Sequence, residues 1–168
     1  MEGIKPRHLL LNNATKLTAV ECPNNTELIN IQIEQCSYLQ RDNLSGCSSL
    51  GTLTSSQVLD VSGCSNLRYL NAYGTVLTSI NTNQAGGNLV EIYIPKTLQN
   101  LELRNQYSLV TVGIPSSRWV SNTVNDLQNN ASSLSTFSLI NCPLVNRLWY
   151  DNNFQQDYNF HDGYMNLR

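Results

Sequence analysis

The sequence predicts a mainly β fold, a solenoid of short parallel strands stacked coil on coil, with about 20 to 24 residues per coil and one short helix near 117–129. Two observations carry this. Apolar residues fall in the spacing L-x-x-Φ-x-Φ-x-x-[C/N/Q], where Φ is aliphatic. The spacing restarts about every eleven residues, so that two steps make one coil. Asn is abundant, at 23 of 168 residues, while charged residues make up only 13%, so the turns are solvated by amides and hydroxyls rather than by ions.

Along the chain, residues 1–16 precede the repeat, and Ile4 to Leu11 are expected to form a weak N-terminal cap. The solenoid spans 17–150. Its clearest copies are Leu28, Ile31, Ile33, Cys36; Leu67, Leu70, Ala72, Thr75; Leu89, Ile92, Ile94; Leu98, Leu101, Leu103, Gln106; Leu109, Val112, Ile114; and Leu134, Phe137, Leu139, Cys142. Weaker copies start at Leu17 (Val20, Cys22, Asn25), Leu39 (Leu44, Cys47), Leu50 (Leu53, Val58), Leu77 (Ile80) and Val145 (Leu148, Tyr150). The register breaks between Leu53 and Val61. Ser116 to Ser133 replace a half-coil, and there Trp119 or Val120, Val124 and Leu127 recur at helical intervals behind Ser116 or Ser117 as N-cap, which predicts the helix. Residues 151–168 follow Trp149 and Tyr150 with Phe154, Tyr158, Phe160 and Tyr164. They read as an aromatic C-terminal cap or docking segment, because the last coil of a solenoid otherwise leaves an open core and unpaired strand edges.

The spacing follows from strand geometry. In Φ-x-Φ the alternation puts both apolar side chains on one face of a short strand. One such strand cannot bury that face alone, but coils stacked about 4.8 Å apart pair their strands and close a continuous core. The residue three beyond the second Φ turns the chain while satisfying buried backbone groups, which suits amides and small thiols: Asn25, Cys36, Cys47, Cys64, Gln106 and Cys142.

The stretch Val58-Leu-Asp-Val-Ser-Gly-Cys-Ser-Asn-Leu-Arg-Tyr-Leu-Asn-Ala to Ile80 resembles the leucine-rich repeats of bacterial surface proteins. The stretch from Leu89-Val-Glu-Ile-Tyr-Ile-Pro to Leu109-Val-Thr-Val-Gly-Ile-Pro115 is similar to their BspA-like subtype, and the two cover residues 17 to 150 together with their neighbouring copies. The resemblance implies a leucine-rich-repeat-like solenoid and a noncatalytic surface for adhesion or protein–protein interaction. It fixes no ligand.

Composition narrows the function. A formal net charge of −2 and a pI near 5.6 provide no basic stripe to displace phosphate counterions, so nucleic acid is not an expected partner. No apolar run approaches the length of a membrane span, so membrane insertion is not expected, and Met1 to Leu11 do not read as a signal peptide. The expected setting is an extracellular surface or a virion.

The five cysteines, Cys22, Cys36, Cys47, Cys64 and Cys142, show neither C-x-x-C pairs nor neighbouring His, and they read as buried thiols of the repeat rather than metal ligands. No catalytic set is expected. His8 and His161 lie at opposite ends of the chain, and Glu91 and Glu102 sit on adjacent half-coils that face opposite ways. No cofactor or metal is called for.

What remains is surface. In each strong copy the second, third and fifth positions point outward, giving Arg68, Tyr69, Asn71; Val90, Glu91, Tyr93; Val110, Thr111, Gly113; and Ser135, Thr136, Ser138 as four neighbouring strands if alternate copies share a face. Tyr69 then lies near Glu91 and Asn71 near Tyr93. The opposite face offers Thr78, Ser79, Asn81, Gln99, Asn100 and Glu102, with no aromatic. Because Tyr and Arg are enriched at binding hot spots, Arg68, Tyr69, Asn71, Glu91 and Tyr93 form the candidate site. The reading is a noncatalytic recognition or adhesion module for a protein or glycan ligand. The alternative is a structural assembly unit of a phage tail, fibre or other virion appendage, with other virion subunits as partners.

Overall fold

The computed structural model describes residues 5–83, 85, 87–113, 136–140, 147–148 and 164–167. Among the described residues, short strands follow one another with almost no helix: β1 His8–Leu10, β2 Ala19–Glu21, β3 Asn30–Gln32, β4 Arg41–Asn43, β5 Val58–Asp60, β6 Tyr69–Asn71, β7 Ser79–Asn81, β8 Glu91–Tyr93, β9 Asn100–Arg104, β10 Thr111–Gly113, β11 Thr136–Ile140, β12 Arg147–Leu148 and β13 Tyr164–Leu167. Even-numbered strands build one six-stranded sheet in the order β2-β4-β6-β8-β10-β12. On the other side, β5-β7-β9-β11-β13 form a five-stranded sheet, and β1 pairs with β3. All pairings are parallel except the last, where β13 runs antiparallel to β11.

The register gives the coil length. Ala19 pairs with Arg41 and Tyr69 with Glu91, each 22 positions on, so one coil holds two copies of the eleven-residue spacing, one in each sheet. The protein is a parallel β-solenoid. Arg41 pairs with Tyr69, 28 positions on, because the chain between β4 and β5 carries an insertion that includes a single 3-10 turn at Thr54–Ser56. This corrects the copy placed at Leu50. Leu50 itself is buried, but Leu53 and Val58 are 43% and 54% exposed, and the core positions of that half-coil belong to Leu59 and Val61.

The inward columns fill the space between the sheets. On the six-stranded side the first Φ column runs Val20, Asp42, Leu70, Ile92, Val112 in register. Its leading leucines Leu39, Leu67, Leu89 and Leu109 are fully buried. Each buried Leu or Ile contributes about 1.5–3 kcal/mol relative to exposure. At Asp42 the column breaks the apolar rule, which is why the Leu39 copy looked weak.

Backbone bonds tie coil to coil beyond the strands, as in Cys22 N to Asn43 O (2.9 Å), Leu44 N to Asn71 O (2.8 Å) and Ala72 N to Tyr93 O (2.8 Å). The turns that follow β1 to β6 and β9 each place one residue at positive φ: Asn13, Asn24, Gln35, Gly46, Gly63, Gly74 and Asn105. Asn and Gly tolerate that region best, which accounts for Asn13, Asn24 and Asn105 and for the glycines Gly46, Gly63 and Gly74. At four of these turns the next side chain bonds the neighbouring coil. Cys36 Sγ donates to Leu11 O (3.0 Å), Cys47 Sγ to Cys22 O (3.1 Å), Cys64 Sγ to Ile33 O (3.1 Å), and Asn25 Nδ2 to Pro6 O (2.8 Å). Cys22, Cys36, Cys47 and Cys64 are free thiols, and burial pushes Cys47 and Cys64 up to about 11. Cys142, the helix expected near 117–129 and most of the aromatic segment 151–168 lie outside the described residues.

Candidate functional site

The outer side of the six-stranded sheet is built from the residues between the inward columns. Parallel pairing sets Ala19, Arg41, Tyr69, Glu91 and Thr111 in one row, and Glu21, Asn43, Asn71, Tyr93 and Gly113 in the next. Tyr69 therefore stands beside Glu91 and Asn71 beside Tyr93, the two adjacencies that the spacing predicts.

These side chains lock onto one another. The Arg41 guanidinium lies 3.7 Å above the Tyr69 ring, and the Tyr69 ring meets the Tyr93 ring at 5.9 Å with a 58° tilt. Both arrangements are favourable, the first through the negative face of the ring and the second through its quadrupole. Arg41 Nε also donates to Glu21 Oε1, and Asn43 Nδ2 donates to Glu21 Oε2 at 3.0 Å. Asn71 Nδ2 donates to the Tyr69 hydroxyl at 3.0 Å while Asn71 Oδ1 accepts from Tyr73 N at 3.1 Å. Tyr93 Oη donates to Glu91 Oε2 at 3.0 Å. The result is a polar and aromatic patch with fixed side chains across four strands. Arg41 and Glu21 are both exposed enough to weaken the ion pair by solvent screening, so its value lies in holding the guanidinium over the ring.

Three of the sequence expectations change here. The cation of the patch is Arg41, whereas Arg68 sits at the bend before β6, exposed, with its backbone carbonyl accepting from Val90 N at 2.8 Å. Asn71 and Tyr93 are on the outer side but only 8% and 7% exposed, so Tyr69, Glu91 and Arg41 offer the accessible atoms. The fourth neighbouring strand is β12, because Thr136–Ile140 pairs with β9 in the opposite sheet; the described strands keep alternating between the sheets past β10, whereas the sequence spacing counts residues 116–133 as a half-coil. Arg41, Glu21 and Asn43 escaped sequence reading because Asp42 hid the strand that carries two of them. An Arg and a Glu one coil apart, at 41 and 21, were the available signal.

Glu91 and Glu102 belong to opposite sheets, so they do not face each other across a substrate. Among the described residues no group of three His, Cys, Asp or Glu side chains gathers to hold a metal, and no helix is long and apolar enough to cross a membrane. No family model, curated protein or solved structure matches the chain.

Proposed function

We propose that the domain is a noncatalytic recognition module that binds a protein or glycan at a bacterial or viral surface through the outer side of the six-stranded sheet. The stack of Arg41, Tyr69 and Tyr93 carries this reading. A rigid sheet holds these side chains in place before any ligand arrives, so binding loses little conformational entropy. Tyr and Arg are also the residue types that dominate interface energetics. The likeness of the repeat units to bacterial surface leucine-rich repeats favours an extracellular or virion setting for such contacts.

The test uses a glycan array and intact bacterial cells, with the full chain as probe. The double variant Arg41→Ala with Tyr69→Ala is expected to lose about 2 kcal/mol of binding, roughly thirtyfold, as hot spots do. The double variant Gln32→Ala with Gln99→Ala, one in β3 and the other just before β9, outside the six-stranded sheet, retains it. Equal binding by the two variants would place recognition elsewhere on the molecule. A stable trimer or hexamer in gel filtration, with no binding to either target, favours the assembly unit of a virion appendage instead.

A further inference from the structure

We infer that Asp42 makes the N-terminal coils acid-stabilised: strand β4 stays docked while its buried carboxyl keeps its proton, and it opens locally as rising pH removes that proton. The inference does not require the outer face to bind anything.

The geometry is unusual for a carboxylic acid. Asp42 is 0% exposed, stands in the inward column between Val20 and Leu70, and neither of its carboxyl oxygens has a hydrogen-bond partner. Buried polar side chains elsewhere do find partners, as Asn25 does in Pro6 O and Thr75 in Ala72 O. An ionised carboxylate in that position has no compensating donor, so only the neutral acid is compatible with the packed core.

The charged and titratable groups around it do not help. From β2 comes Glu21, from the residue after it the thiol of Cys22, from the turn after β4 Cys47, and from the turn after β5 Cys64, each either negative or neutral. On β5, Asp60 is turned to the outside, where it accepts from Ser62 N and Asn81 Nδ2. On β6, Tyr69 stacks outside. The cation on its own strand, Arg41, also lies on the outer side, committed to Glu21 and Tyr69. Burial, with a smaller contribution from Glu21, accordingly pushes Asp42 up to about 8 from 3.8.

The sign follows from linkage. In the docked state the carboxyl holds a proton that an exposed Asp releases above its ordinary value. Docking is therefore strongest below about pH 4 and weakens about tenfold per pH unit between about 4 and 8, with no further loss from this group above that. Because Asp42 sits between Arg41 and Asn43, its release also takes apart the Glu21, Arg41 and Tyr69 contacts on the outer side.

Amide hydrogen exchange and thermal melts of the full chain between pH 4.5 and 8.5 test this, with Asp42→Leu and Asp42→Asn beside the wild type. In the wild type, protection of the β2, β4 and β6 amides, corrected for the intrinsic exchange rate, is expected to fall about tenfold per pH unit up to about pH 8 and then level off, while β8 and β10 hold. Asp42→Leu restores the apolar column, abolishes this pH dependence and melts above the wild type at pH 8. Asp42→Asn also abolishes it. A pH dependence that survives in Asp42→Leu, an Asp42→Leu that melts below the wild type at pH 8, or an equal loss of protection in all five strands would overturn the inference.

Discussion

Strands β4 and β8 stand in the same sheet with one strand between them, and their inward residues differ in kind: Asp42 in the first, Ile92 in the second. The backbone does not register the change. Leu44 N reaches Asn71 O at 2.8 Å after β4, and Ile94 N reaches Gly113 O at 2.8 Å after β8. Coil geometry is thus set by the ladder of backbone bonds between coils. How firmly each coil is held depends on what fills the space inside. A solenoid can separate the two because each coil touches only its neighbours.

The largest effect comes from making β8 resemble β4. Ile92 is 0% exposed and lies between Leu70 and Val112, so Ile92→Asp removes an apolar anchor and inserts a second unpartnered carboxyl in the middle of the sheet. The expected loss is about 3–5 kcal/mol at pH 7, enough to unfold a marginal domain, and circular dichroism melts would record it. A near-normal melt would mean that the inward column is assigned wrongly.

A smaller effect tests the insertion that separates β4 from β5. Gly51 has φ +99°, and a Cβ added there would meet Val76 O and Leu77 N, both at 2.7 Å, so backbone would have to move. Gly51→Ala is expected to cost about 1–3 kcal/mol in urea unfolding. An unchanged midpoint would show that this close approach does not constrain the fold.

The sequence shows the coil plainly where every Φ is apolar. The described residues of the copies at Leu28, Leu67, Leu89, Leu98 and Leu109 lie in the core as the spacing requires, and the thiols Cys36, Cys47 and Cys64 turn inward as expected. Three things were not legible, each for a physical reason. Asp42 hides its strand because a neutral carboxylic acid is written with the same letter as an exposed anion. An insertion such as Gly51–Gln57 leaves apolar residues, Leu53 and Val58, that mimic the spacing without being buried. The sheet that takes β11 was not legible, because spacing within strands cannot tell whether residues 116–133 count as a half-coil. Of the candidate site, Tyr69, Glu91, Asn71 and Tyr93 follow from register alone, whereas Arg41 over Tyr69 depends on identifying β4.

The central claim is that consecutive copies of the spacing alternate between two sheets, so that side-by-side neighbours are a full coil apart. Inter-strand nuclear Overhauser contacts in isotopically labelled protein measure this directly. The account predicts contacts that link Ala19 to Arg41, Arg41 to Tyr69 and Tyr69 to Glu91, at separations of 22, 28 and 22 residues. Contacts between successive copies instead, such as Asn30 with Arg41 or Ser79 with Glu91, would mean a single sheet with a coil half as long and would contradict it.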